Sequence, residues 1–423
     1  DFCLSRGLGD VYKRQPSRLL SFWGKSRRRR IGLVAVVVAV ALLIPFGVSF
    51  GSALTNPGLG VSVSARAAEW FRSHGFSSVV NWVENEWYTH HAPPVGGKPP
   101  KGSIKDPKHP TQAVVTGPPH LGAPAPITPF VSTPIAGEGQ WSPAGRLVDG
   151  IPAVYETTMR PDSIHTTVVV GVAWLDTKLL RATLYSGSTI PGPPPGGGFY
   201  AHTAPIQLDA AGTLVAAFNA GFLMNQANGG YYTDGKTIIP LRDGAASFVV
   251  YADGSSTVGA WGRDVTMNQD GSPVVSVRQN LNLLVDNGQP VPGLNASDTT
   301  QWGYTLGNNV YVWRSGLGVT ADGALVYVGG PGLNITSLAH VLIAAGAVRA
   351  MELDINTDWV NFATYNPPLP TGLAAPSNGI DLLSGSSGMA GQPDRYFASY
   401  WSRDFITMSS ACLLYTSDAA DDL

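Results

Sequence analysis

Three stretches of this 423-residue chain set polar side chains at spacings that could do chemistry. The first is GAVRAMELDINTDWVNF, residues 346–362. With Ala350–Asn356 read as a strand, Met351, Leu353 and Ile355 face a core. Glu352, Asp354 and Asn356 then share the opposite face, neighbours about 7 Å apart. Two carboxylates at that spacing push their proton affinities apart, as acid–base work on a glycosidic bond requires. The same residues spell Asp354-x-Asn356-x-Asp358, the opening of a calcium loop. Trp359 stands where such a loop needs glycine, and Tyr365 where its closing glutamate belongs. A calcium site of another kind and a polar strand face without ligand are the competing readings.

The second stretch is AAFNAGFLMNQANGGYYTDGK, residues 216–236. A strand delivers Asn219 to its end, and Gly221 permits a tight turn with close backbone approach. The Asn219 amide offers donor and acceptor together, which suits a sugar hydroxyl or a phosphate oxygen. Asp234, before Gly235, is either a further catalytic carboxylate or the first residue of a structural turn. The third stretch is NNVYVWRSGLG, residues 308–318. Val310, Val312 and Arg314 share one strand face, with Tyr311 and Trp313 on the other. An arginine ahead of a Gly-rich turn can grip a phosphate or carboxylate bidentately, or close a salt bridge.

Other chemistries are missing. There is no GxxxxGK[ST], no GxGxxG opening a helix, no HExxH and no GxSxG. His165, His202 and His340 are not spaced as a metal set. The net charge of −2 and the 13% of charged residues leave no broad basic surface for nucleic acid.

The segments that must position these residues are short, Val-rich and separated by Gly turns. Strands are expected at Thr166–Leu175, Arg181–Ser186, Thr213–Asn219, Ala246–Tyr251, Val274–Val277 and Val310–Arg314. Asp253-Gly254 and Asp322-Gly323 have the hairpin signature. One helix is expected from a Thr336 cap to Gly346, with Leu338, Val341, Leu342 and Ala345 inward. No strand–helix alternation recurs, so the expected fold class is α+β, a mostly antiparallel twisted sheet with a few helices.

The N-terminal part is organised differently. The chain starts at Asp1, and both ends, 1–15 and 409–423, read as non-native flanks. Its two cysteines, Cys3 and Cys412, lie in or beside them, which leaves the body without disulfides, thiolate ligands or a cysteine nucleophile. A basic segment at 16–30, with Lys25 and Arg27–Arg30, precedes an uncharged run at 31–54. That run is long enough to cross a bilayer as an uncleaved anchor, and the preceding basic residues put the N-terminus in the cytoplasm. A helical juxtamembrane stalk at 55–91 and a Pro-rich spacer at 92–136 then lead to a folded domain at 137–408, outside the cytoplasm.

Across that domain the ordered motifs resemble the phosphodiester glycosidase family. Asn219-Ala220-Gly221-Phe222, Gly230-Tyr231, Asp234-Gly235, Arg314-Ser315-Gly316-Leu317-Gly318, Ala350-Met351-Glu352-Leu353-Asp354 and Arg403-Asp404-Phe405 follow in the family's sequence. Many members continue from the last Leu-Asp with a Gly-Gly-Gly-Ser loop, where this chain has Ile355-Asn356-Thr357-Asp358-Trp359. The resemblance implies a hydrolase of sugar-1-phosphodiesters, and relatives in bacteria are linked to exopolysaccharide synthesis. Glu352, Asp354 and Asp234 are then the candidate catalytic residues. Asn219, Gly221, Arg314, Asn356 and Trp359 are the candidate substrate contacts, with Arg314 on the phosphate. The one cofactor candidate is a divalent cation such as calcium, and no metal ligands are assigned. A different class of function for the same residues is a calcium-supported glycan-binding module with Trp359 stacked on sugar. A third is a structural protein of an export assembly.

Overall fold

The computed structural model describes residues 17–107, 117–268, 271–298, 301–303, 310–383, 389 and 395–411. The expected flanks fall almost wholly outside these, as do Asn308 and Asn309. The chain divides into two compact units, Asp1–Asn56 and Pro57–Leu423. In the first, helix α1 (Ser17–Thr55) contains, at Arg30–Thr55, a stretch long and apolar enough to cross a membrane, with Pro45 inside it.

The second unit opens with α2 (Val63–Ser73), capped by the Ser62 side chain, and α3 (Ser77–His90). The sequence pattern was continuous from Ala65 to His91, but Gly75 adopts φ +87° and splits the helix in two. A stalk is not what forms: Trp70 and Val80 are buried, and Arg72 bridges to Glu69 at 2.9 Å and to Glu84 of α3. The Pro-rich segment lacks regular structure, as proline chemistry dictates, yet its described parts lie against the domain. Ile104 and Ile127 are buried, the Leu121 amide donates to Asp176 at 2.8 Å, and the Trp141 indole donates to the Ala125 carbonyl.

The strands follow in chain order: β1 (Ser142–Val148), β2 (Ile151–Met159), β3 (Val170–Leu175) and β4 (Leu180–Tyr185), then a short α4 (Leu208–Ala211). Next come β5 (Leu214–Asn219), β6 (Tyr231–Thr233), β7 (Lys236–Ile239), β8 (Ala246–Tyr251), β9 (Ser256–Ala260), β10 (Val274–Gln279), β11 (Leu283–Asp286) and β12 (Gln289–Pro290). The long hairpin β13 (Val312–Thr320) and β14 (Leu325–Leu333) leads to α5 (Ile335–Ala344) and β15 (Ala347–Glu352). β16 (Phe362–Tyr365), β17 (Gly379–Asp381) and β18 (Phe405–Ser410) close the unit.

They build three antiparallel sheets, ordered β1-β2-β3-β14-β13-β15-β11-β12, β7-β6-β10-β8-β9 and β17-β16-β5-β18-β4. The α+β class is as expected, and both Asp-Gly hairpins form, joining β8 to β9 and β13 to β14. α5 is capped by Asn334, two residues earlier than the Thr336 expectation. Its side chain accepts from the Ser337 amide while the Ser337 hydroxyl accepts from Asn334. Two-residue periodicity along β14 shows how the layers join. Val326 and Val328 pack toward α5 with Leu338, Val341 and Leu342, whereas Leu325 and Tyr327 face the opposite core. There Tyr327, Phe218 of β5 and Phe362 of β16 cluster with ring centroids 5.0–5.7 Å apart, fastening the largest sheet to the sheet that carries Asn219.

Candidate active site

The polar ends of β5, β10, β13 and β15 meet in a network that holds Asp354. β15 ends at Glu352, two residues before Asp354, because the chain turns there. The Asp354 carboxylate accepts the Asn356 amide at 2.9 Å, and the Asn356 side chain accepts the Asp358 amide at 2.9 Å. Asp354's backbone is fixed from two sides. Its N–H donates to the Ala220 carbonyl at 3.1 Å, and its carbonyl accepts the Ser315 amide at 3.0 Å and hydroxyl at 2.7 Å.

Asn219 belongs to this support. Its amide donates to the Ala220 carbonyl at 2.9 Å and to Ser315 Oγ at 3.0 Å. Its oxygen accepts from Tyr327 Oη at 2.8 Å and from the Asn361 amide at 3.0 Å. Two donors and two acceptor positions are thereby filled inside the protein, so Asn219 positions rather than binds. Gly221 is also a packing requirement: a Cβ there would lie 2.8 Å from Asn280 Oδ1 and 3.1 Å from Arg278 Cζ. Those two side chains hold the next residue, with Asn280 accepting the Phe222 amide and Arg278 donating to its carbonyl. Asn280 also donates to the Glu352 carbonyl at 2.8 Å, tying the turn after β5 to the end of β15.

Beside this network opens a cleft of about 580 Å³. Asp354, Asn356, Phe222, Asn282 and Arg403 line it on the sheet side, and Glu69, Arg72 and Asn81 from α2 and α3 line it opposite. Asp354 is nearly buried, and loss of hydration drives its carboxyl up to about 6, against the opposing pull of the Arg403 guanidinium. Glu352 is fully buried behind it. Burial drives its carboxyl up to about 7, partly countered by Arg314, and the Asp354 charge pushes it the same way. Glu352 senses the Asp354 charge, Asp354 is raised a little further by Asp404, and burial is the larger cause of both shifts. The fork of Arg314 is occupied, with Nη1 on Glu352 Oε1 at 2.5 Å, Nε on the Leu333 carbonyl at 3.1 Å and Nη2 on the Val310 carbonyl. At 2% exposure it has no face left for a phosphate.

Two further expectations are corrected. Asp234 sits in the exposed turn between β6 and β7, with φ +51° followed by Gly235 at +71°, away from the cleft lining. That backbone is the type I′ hairpin turn Asp-Gly favours, so its role is conformational. Trp359 is 3% exposed, wedged edge-on against Trp401 at 5.6 Å, with the Arg403 guanidinium 4.3 Å above its ring. It lines the cleft, as a substrate contact would, but its ring face is taken up by the arginine and little of it is open to stack on sugar.

Arg403 also lines the cleft and was not among the candidate residues, although the Arg-Asp-Phe motif contains it. Its neighbour Asp404 is buried in an ion pair with Arg278, Nε to Oδ2 at 2.7 Å, which anchors the segment before β18 beneath the cleft. Of the cleft's neutral amides, Asn225, Gln226 and Asn228 share the loop between β5 and β6, whereas Asn282 and Gln301 come from separate loops that carried no sequence signal. Among the described residues no cluster of three His, Cys, Asp or Glu is arranged to hold a metal ion.

No curated protein matches the chain. Among solved structures it is similar to the zebrafish N-acetylglucosamine-1-phosphodiester alpha-N-acetylglucosaminidase catalytic domain, auto-inhibited by its pro-peptide. That similarity has 16% identity and a TM-score of 0.38, and covers 64% of this chain and 87% of the other. It is also similar to a hypothetical protein from Synechocystis, with 13% identity and a TM-score of 0.31 over 62% of this chain and 63% of that one. A family model described as phosphodiester glycosidase matches residues 212–354, which run from just before β5 to Asp354 itself. The matched stretch thus resembles the phosphodiester glycosidase family, the family whose motif order it follows.

Proposed function

We propose that the protein is a membrane-anchored hydrolase that cleaves sugar-1-phosphodiesters of envelope polysaccharide or glycolipid outside the cytoplasm. The observation that carries the reading is the pairing, in one cleft, of a carboxyl raised to about 6, Asp354, with a guanidinium, Arg403, that closes no ion pair among the described residues. Cleaving the bond between the anomeric carbon and the phosphate oxygen leaves a phosphomonoester and adds water to the sugar. Arg403 would offset the charge gathering on the departing phosphate. Asp354 would exchange the proton with the attacking water or the leaving oxygen. The amides of Asn225, Asn228 and Asn282 suit sugar hydroxyls. Glu352, locked to Arg314, would set the field at Asp354 without touching substrate. The apolar stretch at Arg30–Thr55 acts as the anchor in this reading, with the basic residues before it on the cytoplasmic side.

The test is sugar release from a p-nitrophenyl sugar-1-phosphodiester by the detergent-solubilised full chain. Release that disappears in both Asp354→Asn and Arg403→Ala supports the assignment. Release unaffected by either variant, with both folded, removes the cleft as the site.

A further inference from the structure

α3 has two unlike faces. Toward the domain it turns Val80, which is buried, together with Glu84 and Tyr88, which line a small cavity continuous with the main cleft through Glu69, Arg72, Asn356 and Trp359. Away from the domain, Phe76, Val79, Trp82, Val83 and Trp87 fall on one arc of the helix at 3.6 residues per turn. Their exposures are 44%, 54%, 66%, 52% and 60%. Five large apolar side chains 44–66% uncovered on one short helix and its N-cap make a contiguous patch, unlike the scattered singles expected on any surface. The only ionisable groups within the arc, Glu86 and His90, contact each other at 2.9 Å.

We infer that this face of α3 seats in the interfacial layer of the bilayer. Two observations choose the occupant. Only residues 56–62 separate the end of the apolar stretch at Thr55 from the start of α2, and at most about 3.5 Å per residue can be spanned by that tether. The residue types are also those of an interfacial helix: paired tryptophans and valines on one side, carboxylate, amide and phenol on the other. A helix is about 10 Å across, so lipid headgroups on the outer face would lie one helix diameter from Asn81 in the cleft wall and from Glu84 and Tyr88 in the small cavity beside it. The cleft would then work on diesters presented at the membrane surface. The inference rests on Arg30–Thr55 being a retained anchor.

The chain has cysteine only at positions 3 and 412, so both are replaced with serine and single nitroxide labels are placed by Val83→Cys or, as aqueous control, Lys178→Cys, which is exposed on the domain. The full chain is reconstituted in phosphatidylcholine–phosphatidylglycerol vesicles. Alkaline carbonate extraction reports the anchor separately: release of the protein would remove the premise. With the protein retained, the expected result is that the label at 83 collides more with oxygen than with a water-soluble nickel chelate, the reverse of the label at 178. Equal chelate access at both positions would overturn the seat. So would spin–spin broadening at 83 that disappears on dilution with unlabelled protein, because it would assign the patch to a second copy of the chain.

Discussion

Asp354→Asn separates the chemical role of this carboxyl from its structural cost. In the folded protein the group titrates near 6, raised from an ordinary 3.8, chiefly because burial strips its hydration. A folded-state pKa above the unfolded one means that the native state binds the proton more tightly. The contribution to stability is therefore full below about pH 3.8 and is lost as pH rises toward 6. Two units at 1.36 kcal/mol each give a cost of about 3 kcal/mol at neutral pH. Asparagine keeps the oxygen that accepts the Asn356 amide and carries no charge. The variant should match wild type near pH 3.5, gain on it by about 1.4 kcal/mol per pH unit up to pH 6, and hold a lead of about 3 kcal/mol beyond. The measurement is urea unfolding of the detergent-solubilised chain, followed by tryptophan emission at half-unit pH steps. Glu352 feels the Asp354 charge, so its own titration should move down in the variant and soften the plateau above pH 6. Sugar release should fall by about two to four orders of magnitude in the more stable protein. A stability difference that does not vary with pH, or a wild type that gains stability between pH 4 and 6, would refute the burial argument whatever the activity.

Three other substitutions probe the surroundings. Arg403→Ala should reduce kcat/KM by about 10- to 100-fold, the size of one or two charge-assisted hydrogen bonds. Because Arg403 holds the Asp354 proton affinity down, it should also move the low-pH limb of the rate profile upward, which a pH–rate series will show. Arg278→Ala or Asp404→Ala leaves the other charge buried alone and should cost about 3–5 kcal/mol in unfolding free energy. The double variant should cost less than the sum of the two, in a double-mutant cycle. Asp234→Ala should leave sugar release unchanged and cost less than about 1 kcal/mol, since it alters only an exposed turn.

The sheets were legible because β-branched runs between Gly turns leave a segment few alternatives, and the Asp-Gly pairs fixed two hairpins by backbone preference alone. The break between α2 and α3 was not, since apolar periodicity carries across Gly75 even though its backbone cannot stay helical at φ +87°. The docking of the Pro-rich segment escaped for a related reason. Proline tells which regular structure cannot form, while the burial of Ile104 and Ile127 depends on surfaces contributed by residues far along the chain.

At the site, sequence patterns exposed the supports more readily than the reacting groups. Asn219, Gly221 and Arg314 stood out because each occupies a position where one residue type alone will fit: four hydrogen bonds to satisfy, no room for a Cβ, a buried carboxylate to hold. Such constraints make a motif, and they also use up the side chain. A group that must meet substrate has to keep a face uncommitted, so it leaves a weaker imprint on its local sequence. Asp354 shows both sides. Its backbone is bound through Ala220 and Ser315, which fixed its place among the motifs, while its carboxyl is left facing the cleft. Among the described residues the Arg403 side chain is held by its stack on Trp359, from a segment whose evident duty is the Asp404–Arg278 pair. The same distinction bears on the replacement of the Gly-rich loop by Ile355–Trp359. Successive turns through the Asp354 and Asn356 side chains now shape that stretch, and Trp359 carries Arg403 over the cleft. An arginine fork can meet the anion that backbone amides of a glycine loop would otherwise bind. Under the proposed function, the altered loop leaves the phosphodiester to be held from a different side, by Arg403.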